Sequence, residues 1–171
     1  MTIDILKETA TEMRVAMLPG EVAALKKLGV DILVENGAGE KSFVADYEYI
    51  AAGASVAERK ELISLSTLLL SVNTVPDHDL DLLHEGQMVC SLVNPAENSE
   101  WLEKARIKGI TVLALDLIPR ITRAQSMDVL SSMATVAGYK AVLAAASHLP
   151  KFFPMFMSAA GTIKPALVLI L

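Results

Sequence analysis

Short apolar runs alternate with amphipathic stretches over the first two thirds of the chain. The apolar runs, four or five residues long, predict five buried strands at Ile3–Leu6, Val30–Val34, Leu68–Val72, Met88–Leu92 and Thr111–Leu115. The stretches between them predict helices at Glu21–Leu28, Asp46–Ala52, Glu58–Ser64, Asp79–His84 and Ser99–Lys108. Strands that alternate with helices indicate an α/β fold with a doubly wound, mostly parallel sheet, Rossmann-like or flavodoxin-like.

Several helix ends carry their own signals. Pro19 opens the first helix and Gly29 follows its end, the usual placement of proline early and glycine late. Ser99 is expected to cap the fifth helix, and Gly109 marks its end. These signals support the alternation of strands and helices.

The pattern changes after Leu115. Residues 118–128 are polar and irregular, and a long helical pattern rich in small residues then runs from Ser126 to Leu149, where Pro150 ends it. The apolar run Ala166–Leu171 predicts the first strand of a new unit. We therefore expect an N-terminal α/β domain at 1–118, a loop and linking helix at 119–165, and the start of a second domain at 166–171.

Composition and charge indicate in which cellular compartment the protein works and which partners it lacks. Hydrophobic residues make up 53% of the chain, and the mean hydropathy is +0.45. The most apolar long stretch, Met127–Leu149, is interrupted by Ser131, Ser132, Lys140 and His148, so we expect no direct membrane insertion. A net charge of −5 without a basic stripe argues against nucleic acid. The single Cys90 and the absence of a leader-like start favour the cytoplasm.

Two familiar motifs fail on inspection. Residues 36–42 resemble a phosphate loop, but Glu40 and Glu35 stand where such a loop needs glycine, so a plain strand-to-helix loop is predicted. His78 lies between two aspartates, which a solvated turn explains better than a metal site. Neither a catalytic serine motif nor a catalytic cysteine motif is present. We predict no metal and no catalytic side chain.

The polar segment 120–128 is the strongest candidate for binding. It contains Arg120, Gln125 and Asp128, and it lies between a predicted strand and a long helix, where α/β proteins usually bind ligands. Arginine and glutamine donate to an oxygen and aspartate accepts from an amide N–H, so this group could hold a carboxamide or a carboxylate. The alternative is a structural salt bridge across the loop, from Arg120 or Arg123 to Asp128.

The segment from Ile118 to Ser132 closely resembles the signature loop of proton-translocating NAD(P) transhydrogenase alpha subunits. The resemblance continues through Ala137–Val142, Phe152–Met155 and Ala159–Ala166, and more loosely through Lys7-Glu8 and Arg14 at the start. It implies a subunit that holds NAD(H) and passes a hydride to NADP(H), with a beta subunit that binds NADP and spans the membrane, and with coupled proton translocation. It also implies a homodimer, peripheral to the inner membrane through its partners.

In that family the arginine, glutamine and aspartate of the loop lie against the nicotinamide end of the cofactor. Carried over, the cofactor-binding residues are Arg120, Gln125 and Asp128, with Ser131 nearby. Hydride transfer is the chemistry of the cofactor itself, so the role implied for these side chains is orientation. The resemblance therefore agrees with the absence of a catalytic histidine.

The sequence also departs from the family and from the related alanine dehydrogenases. Ser71 stands where a lysine is expected, and residues 90–94 replace a histidine-containing segment. Val168–Leu171 is not followed by the family's glycine-rich phosphate-binding turn. We expect a truncated second domain and weak or no binding of NAD(H) by this chain alone.

Two alternatives stay open. One is a non-catalytic interaction domain that packs on a separate nucleotide-binding polypeptide through the helix Ser126–Leu149. The other is the substrate domain of an alanine dehydrogenase-like enzyme, with a carboxylate substrate near Arg14. Ser71 argues against the second.

Overall fold

The computed structural model describes residues 1–9 and 11–170, and the chain divides into two compact units, Met1–Met127 and Asp128–Leu171. Each unit is described by itself below. The predicted three-part division at 118 and 165 stays a prediction.

The first unit is built on a parallel sheet of six strands in the order β3-β2-β1-β4-β5-β6. The strands are β1 (Thr2–Ile5), β2 (Asp31–Glu35), β3 (Ser55–Ala57), β4 (Leu68–Leu70), β5 (Met88–Ser91) and β6 (Thr111–Ala114). The helices are α1 (Pro19–Lys26), α2 (Asp46–Ala51), α3 (Arg59–Leu65), α4 (Asp77–Leu80) and α5 (Ser99–Ile107). This arrangement confirms the α/β fold with a doubly wound sheet.

Two apolar cores lie on opposite faces of the sheet because side chains alternate along each strand. Ile3 and Ile5 pack with Val22 of α1 and Tyr49 of α2. The next side chain along, Leu6, belongs to the other core, which takes Ile63 of α3, Leu80 of α4, and Trp101 and Ala105 of α5. The helices change faces after β3, so the strand order reverses between β1 and β4. That is the position where open α/β sheets usually bind ligands.

Three local expectations for the first unit are wrong. Strand β3 was not predicted, because it is a three-residue edge strand in which none of the residues is buried. The fourth helix covers 77–80 rather than 79–84. Asn98, not Ser99, is the N-cap of α5, and its side-chain amide donates to the carbonyl of Val93 at 2.7 Å. The turn glycines Gly29 and Gly109 do have left-handed φ angles, 77° and 71°.

The second unit contains the 20-residue helix α6 (Val129–His148) and an antiparallel hairpin of β7 (Phe156–Ser158) and β8 (Gly161–Ile163). The helix begins at Val129 rather than Ser126, because residues 122–127 form a 3-10 helix. Residues 164–170 have no regular secondary structure, so the predicted strand at 166–171 is wrong over 166–170, which pair with no neighbouring strand. Its last residue, Leu171, lies outside the described residues.

None of the residues of α6 is buried. Among the described residues, α6 is the one helix long and apolar enough to cross a membrane by length and composition. A single helix of this kind is weak evidence for insertion.

Candidate functional site

Residues Ile118–Ser132, which we call the signature segment, follow soon after the last strand of the sheet. A 3-10 helix at Leu115–Leu117 follows β6, and a second one at Thr122–Met127 contains Gln125. Ala124 is buried and anchors this second helix, while the side chains of Arg120 and Gln125 are exposed. An anchored backbone with exposed donors is suited to meeting a ligand, because the side chains need not break internal contacts first.

Asp128 is the N-cap of α6. Its carboxylate accepts a hydrogen bond from the backbone N–H of Ser131 at 2.9 Å and one from the Ser131 hydroxyl at 2.6 Å. Aspartate at this position satisfies an N–H group that the helix leaves unpaired, and its charge is favoured by the helix dipole. The structure therefore brings Asp128 and Ser131 together. Arg120 and Gln125 belong to the first unit, and the predicted pairing of Asp128 with Arg120 or Arg123 stays a prediction.

The crevice between β1 and β4 is occupied by a carboxylate of the chain itself. Glu8, just after β1, accepts from the backbone N–H of Val72 at 2.5 Å and from that of Asn73 at 3.4 Å. The side-chain amide of Asn73 also donates to Glu8, at 3.2 Å. Ser71, which was predicted to replace a lysine of the family, is buried, and its hydroxyl donates to the carbonyl of Asn73 at 2.7 Å. The donors at the end of β4 are thus already used.

Arg14, the residue suggested for a carboxylate substrate, also has an internal partner. Its Nε and Nη2 donate to the two carboxylate oxygens of Glu12 at 2.9 and 2.7 Å. The hydrogen bond from Arg14 lowers the pKa of Glu12 to about 2, and the same contact raises the pKa of Arg14. A two-pronged pair of this kind is among the stronger charged contacts in proteins. Binding a substrate carboxylate at Arg14 would require breaking it.

The same use of internal carboxylates recurs along the carboxyl edge of the sheet. The N–H of Lys7 donates to Glu35 at 2.7 Å, and the N–H of Gly37 donates to both oxygens of Asp46 at 3.0 and 3.1 Å. Beyond β5, the N–H groups of Val93 and Asn94 donate to the two oxygens of Asp116, each at 2.9 Å. These backbone donors are the groups with which other doubly wound folds hold phosphate. In this chain they hold its own acids.

Arg59, the first residue of α3, contacts several groups at the carboxyl edge of the sheet. It donates to Glu35 at 2.6 Å, to Asp79 at 2.9 and 2.7 Å, and to the backbone carbonyl of Lys7 at 3.0 Å. Burial opposes the charge of this guanidinium, but Asp79 and Glu35 outweigh it and raise the pKa of Arg59. The side chain of Asp79 is only 3% exposed. We found no sequence signal for this cluster, because its members lie 20 and 24 positions apart.

The loop at 36–42 is ordered by its own contacts. Gly37 has a left-handed φ of 70°, and residues 40–42 form a 3-10 helix. The Lys41 ammonium donates to the carbonyls of Thr9 and Glu12 at 2.7 and 3.2 Å, and Ser42 donates to the carbonyl of Met13 at 2.8 Å. Lys41 and Ser42 therefore hold this loop against residues 9–13, as expected for a strand-to-helix loop that does not bind phosphate.

Other candidates carry little chemistry. A groove of about 390 Å³ lies beside the start of α5 between Thr74, Asp77, Trp101 and Lys104, and none of Arg120, Gln125, Asp128 and Ser131 lines it. No group of three or more possible metal ligands occurs within 1–9 and 11–170. The Cys90 thiol is half-buried, and its burial raises its pKa, which makes it a poor nucleophile.

The family model described as "Alanine dehydrogenase/PNT, N-terminal domain" matches residues 4–137. NAD(P) transhydrogenase subunit alpha of Cereibacter sphaeroides is 42% identical over 160 residues, which are 93% of this chain and 31% of that protein. A transhydrogenase structure from Sinorhizobium meliloti superposes with a TM-score of 0.91 at 40% identity, over 97% of this chain and 48% of that one. An L-alanine dehydrogenase structure covers 69% of this chain and 33% of its own, with a TM-score of 0.66 at 28% identity. The chain thus spans less than half the length of these relatives.

Proposed function

This chain belongs to the family of alanine dehydrogenase/PNT N-terminal domains, and on that basis we propose that it is the N-terminal part of the NAD(H)-binding alpha subunit of an NAD(P) transhydrogenase. In the complete complex this subunit exchanges a hydride between NAD(H) and NADP(H), coupled to proton translocation. The subunit forms a homodimer with a second copy of itself. It also binds a beta subunit, which binds NADP and spans the membrane. The subunit itself is cytoplasmic and peripheral to the membrane.

One observation carries the assignment of the site. The carboxyl edge of the sheet is filled by the chain's own carboxylates, whereas Arg120 and Gln125 are exposed on an anchored segment. The chemistry of this donor set fits the carboxamide of a nicotinamide ring. Arg120 and Gln125 supply N–H groups for its oxygen, and Asp128, oriented by Ser131, supplies an acceptor for its N–H. When bound, NAD(H) supplies the hydride itself.

These side chains orient rather than react. A fixed ring brings the hydride donor and acceptor to a reactive distance, and a small misplacement costs rate steeply. The capping bonds from Ser131 limit the rotation of the Asp128 carboxylate. The positioning therefore depends on the helix start as well as on the loop.

A chimera tests the proposal. This chain would replace the matching 31% of the Cereibacter sphaeroides subunit, and transhydrogenation would be measured in the assembled complex. We expect activity in the chimera, and a loss of roughly tenfold to a hundredfold on Arg120→Ala or Gln125→Ala because the ring is held less well. Arg123→Ala, the same substitution on the same segment, is the matched control and should retain activity. An active chimera that is indifferent to both changes would count against the proposed site.

A second function, a non-catalytic interaction domain, is supported by a different observation. Helix α6 is apolar, and none of its residues is buried. A helix that is apolar on all sides is normally covered. A separate nucleotide-binding polypeptide could cover it, in which case the chimera would be inactive but the chain would bind that polypeptide. The alanine dehydrogenase alternative is disfavoured, because Glu12 and Glu8 hold the groups that would receive a substrate carboxylate.

A further inference from the structure

The dipeptide Asn36-Gly37 directly follows β2, and it is the kind of sequence at which an asparagine loses its amide most readily. In this reaction the backbone nitrogen of Gly37 would give up its proton and bond to the side-chain carbonyl carbon of Asn36. The amide nitrogen of Asn36 would leave as ammonia, and water would open the resulting succinimide to aspartate or isoaspartate. Glycine favours the ring closure because it has no side chain to obstruct it. Asn36 is exposed, so water reaches this side chain.

The fold requires glycine at the second position of this dipeptide. Gly37 has a left-handed φ of 70°, which residues with a side chain rarely adopt. The N–H of Ala38 donates to the carbonyl of Glu35 at 2.9 Å and closes a turn around the dipeptide. A larger residue at position 37 would slow the ring closure, but the backbone conformation of this turn disfavours it. Protection of Asn36 therefore has to come from contacts between the loop and the rest of the first unit.

Asp46 supplies such a contact. The N–H of Gly37, whose nitrogen is the attacking atom, donates to both carboxylate oxygens of Asp46 at 3.0 and 3.1 Å. Asp46 is half-buried and is the first residue of α2, so the helix holds the acceptor in place. A negative charge beside the N–H makes the loss of its proton harder, and rotation of the nitrogen towards the Asn36 side chain would break both bonds. The release of an N–H from a charged acceptor lowers the population of the reactive geometry roughly tenfold to a hundredfold.

We propose that Asn36 is a site of deamidation that Asp46 holds closed, so that modification follows the opening of the contact between Gly37 and α2. Isoaspartate at position 36 adds an extra atom to the backbone of the turn and places a second carboxylate beside Asp46. The same loop holds residues 9–13 through Lys41 and Ser42, so the modification loosens that contact as well. The proposal does not depend on the hydride-transfer function, because it uses only residues outside the signature segment.

The rate of deamidation tests the role of Asp46. The full chain would be kept at 37 °C and pH 8, and the peptide that contains Asn36 would be followed by mass spectrometry after proteolysis. We expect Asp46→Ala to deamidate at Asn36 roughly tenfold to a hundredfold faster than the unchanged chain, because the Gly37 N–H loses its charged acceptor. Glu48→Ala is the matched control. It removes a carboxylate that accepts from the N–H of Ala45 at 3.0 Å at the same helix start, and it should leave the rate at Asn36 unchanged.

A second asparagine separates the local effect from a folding defect. Asn98 precedes Ser99, and its side-chain amide donates to the carbonyl of Val93 at 2.7 Å, so its deamidation reports on the fold elsewhere. Should Asp46→Ala speed both sites, Asp46→Asn decides, because it keeps the shape and supplies a neutral acceptor. We expect an intermediate rate at Asn36 in that variant and no change at Asn98. An unchanged or slower rate at Asn36 in Asp46→Asn, an equal rise in Glu48→Ala, or a native rate equal to that of the chain in urea would each overturn the proposal.

Discussion

Asp4 is an ionisable residue in the central strand β1. We expect its burial to dominate the pH dependence of the protein's stability. Its side chain is fully buried, and neither carboxylate oxygen has a hydrogen-bond partner. Burial raises its pKa from 3.8 to about 7, and the nearby Ser66 hydroxyl, which is not within hydrogen-bond geometry, offsets this only in part. The folded protein therefore holds a proton here that the unfolded chain releases near pH 4.

The sign and size follow from proton linkage. Between pH 3.8 and about 7 the folded state binds more protons than the unfolded state, so the free energy of unfolding falls as pH rises and levels off above about 7. Each pKa unit corresponds to 1.36 kcal/mol, so the full shift amounts to about 4 kcal/mol. This figure is an upper bound, because water that reaches the strand would lower it. About 2–4 kcal/mol is a large share of the stability of a domain this size.

Replacing Asp4 by asparagine keeps the shape and removes the charge. We expect Asp4→Asn to be close to the unchanged protein at pH 4 and more stable by about 2–4 kcal/mol at pH 8. Urea unfolding at several pH values measures the difference. Asp31→Asn, in an exposed position at the start of the neighbouring strand, is the matched control and should shift stability by less than about 1 kcal/mol at every pH. A difference between Asp4→Asn and the unchanged protein that is constant from pH 4 to 8 would refute the reasoning.

Two further substitutions test the acids at the carboxyl edge. Arg59→Met leaves Asp79 and Glu35 without their cation, and we expect a loss of about 3–5 kcal/mol in urea unfolding, against little change for Arg106→Met on the surface. Because the pKa of Glu12 is lowered from 4.5 to about 2 by Arg14, its contribution is present above pH 4.5 and is lost as pH falls towards 2. Glu12→Gln should therefore be less stable than the unchanged protein at pH 6 and indistinguishable from it near pH 2, and a gap that persists at pH 2 would contradict this assignment.

The fold was predictable because local signals agreed with it. Apolar runs of strand length, Pro19 at a helix start and Gly109 at a helix end each reported on their immediate neighbourhood, and each matched the structure. The signals failed where tertiary context decides. Strand β3 exists because β2 provides a partner, and its own residues carry little pattern. The run at 166–170 has the composition of a strand but no strand beside it, so it does not become one.

The candidate site likewise has a part that was predictable from local sequence and a part that only the tertiary fold brings together. Arg120, Gln125 and Asp128 lie within nine positions of one another, so their grouping was visible in the sequence. The carboxylates at the sheet edge were not visible as a group. Glu8 reaches across 64 positions to Val72, and Asp116 reaches across 23 to Val93. Only the parallel topology brings such partners to one edge.

The internal carboxylates at the carboxyl edge of the sheet also limit which ligands this fold can bind there. A doubly wound sheet presents backbone N–H groups at the carboxyl ends of its strands, and an anionic ligand or an internal acid can satisfy them equally well. In this chain, internal carboxylates accept hydrogen bonds from the backbone N–H groups of Lys7, Gly37, Val72 and Val93. Each carboxylate belongs to the same folded chain, so it loses little conformational entropy when it contacts its donor. A phosphate would have to displace a tethered carboxylate and to face its charge. The donors at this edge are therefore closed to a phosphate, whereas Arg120 and Gln125, beyond the last strand, are exposed.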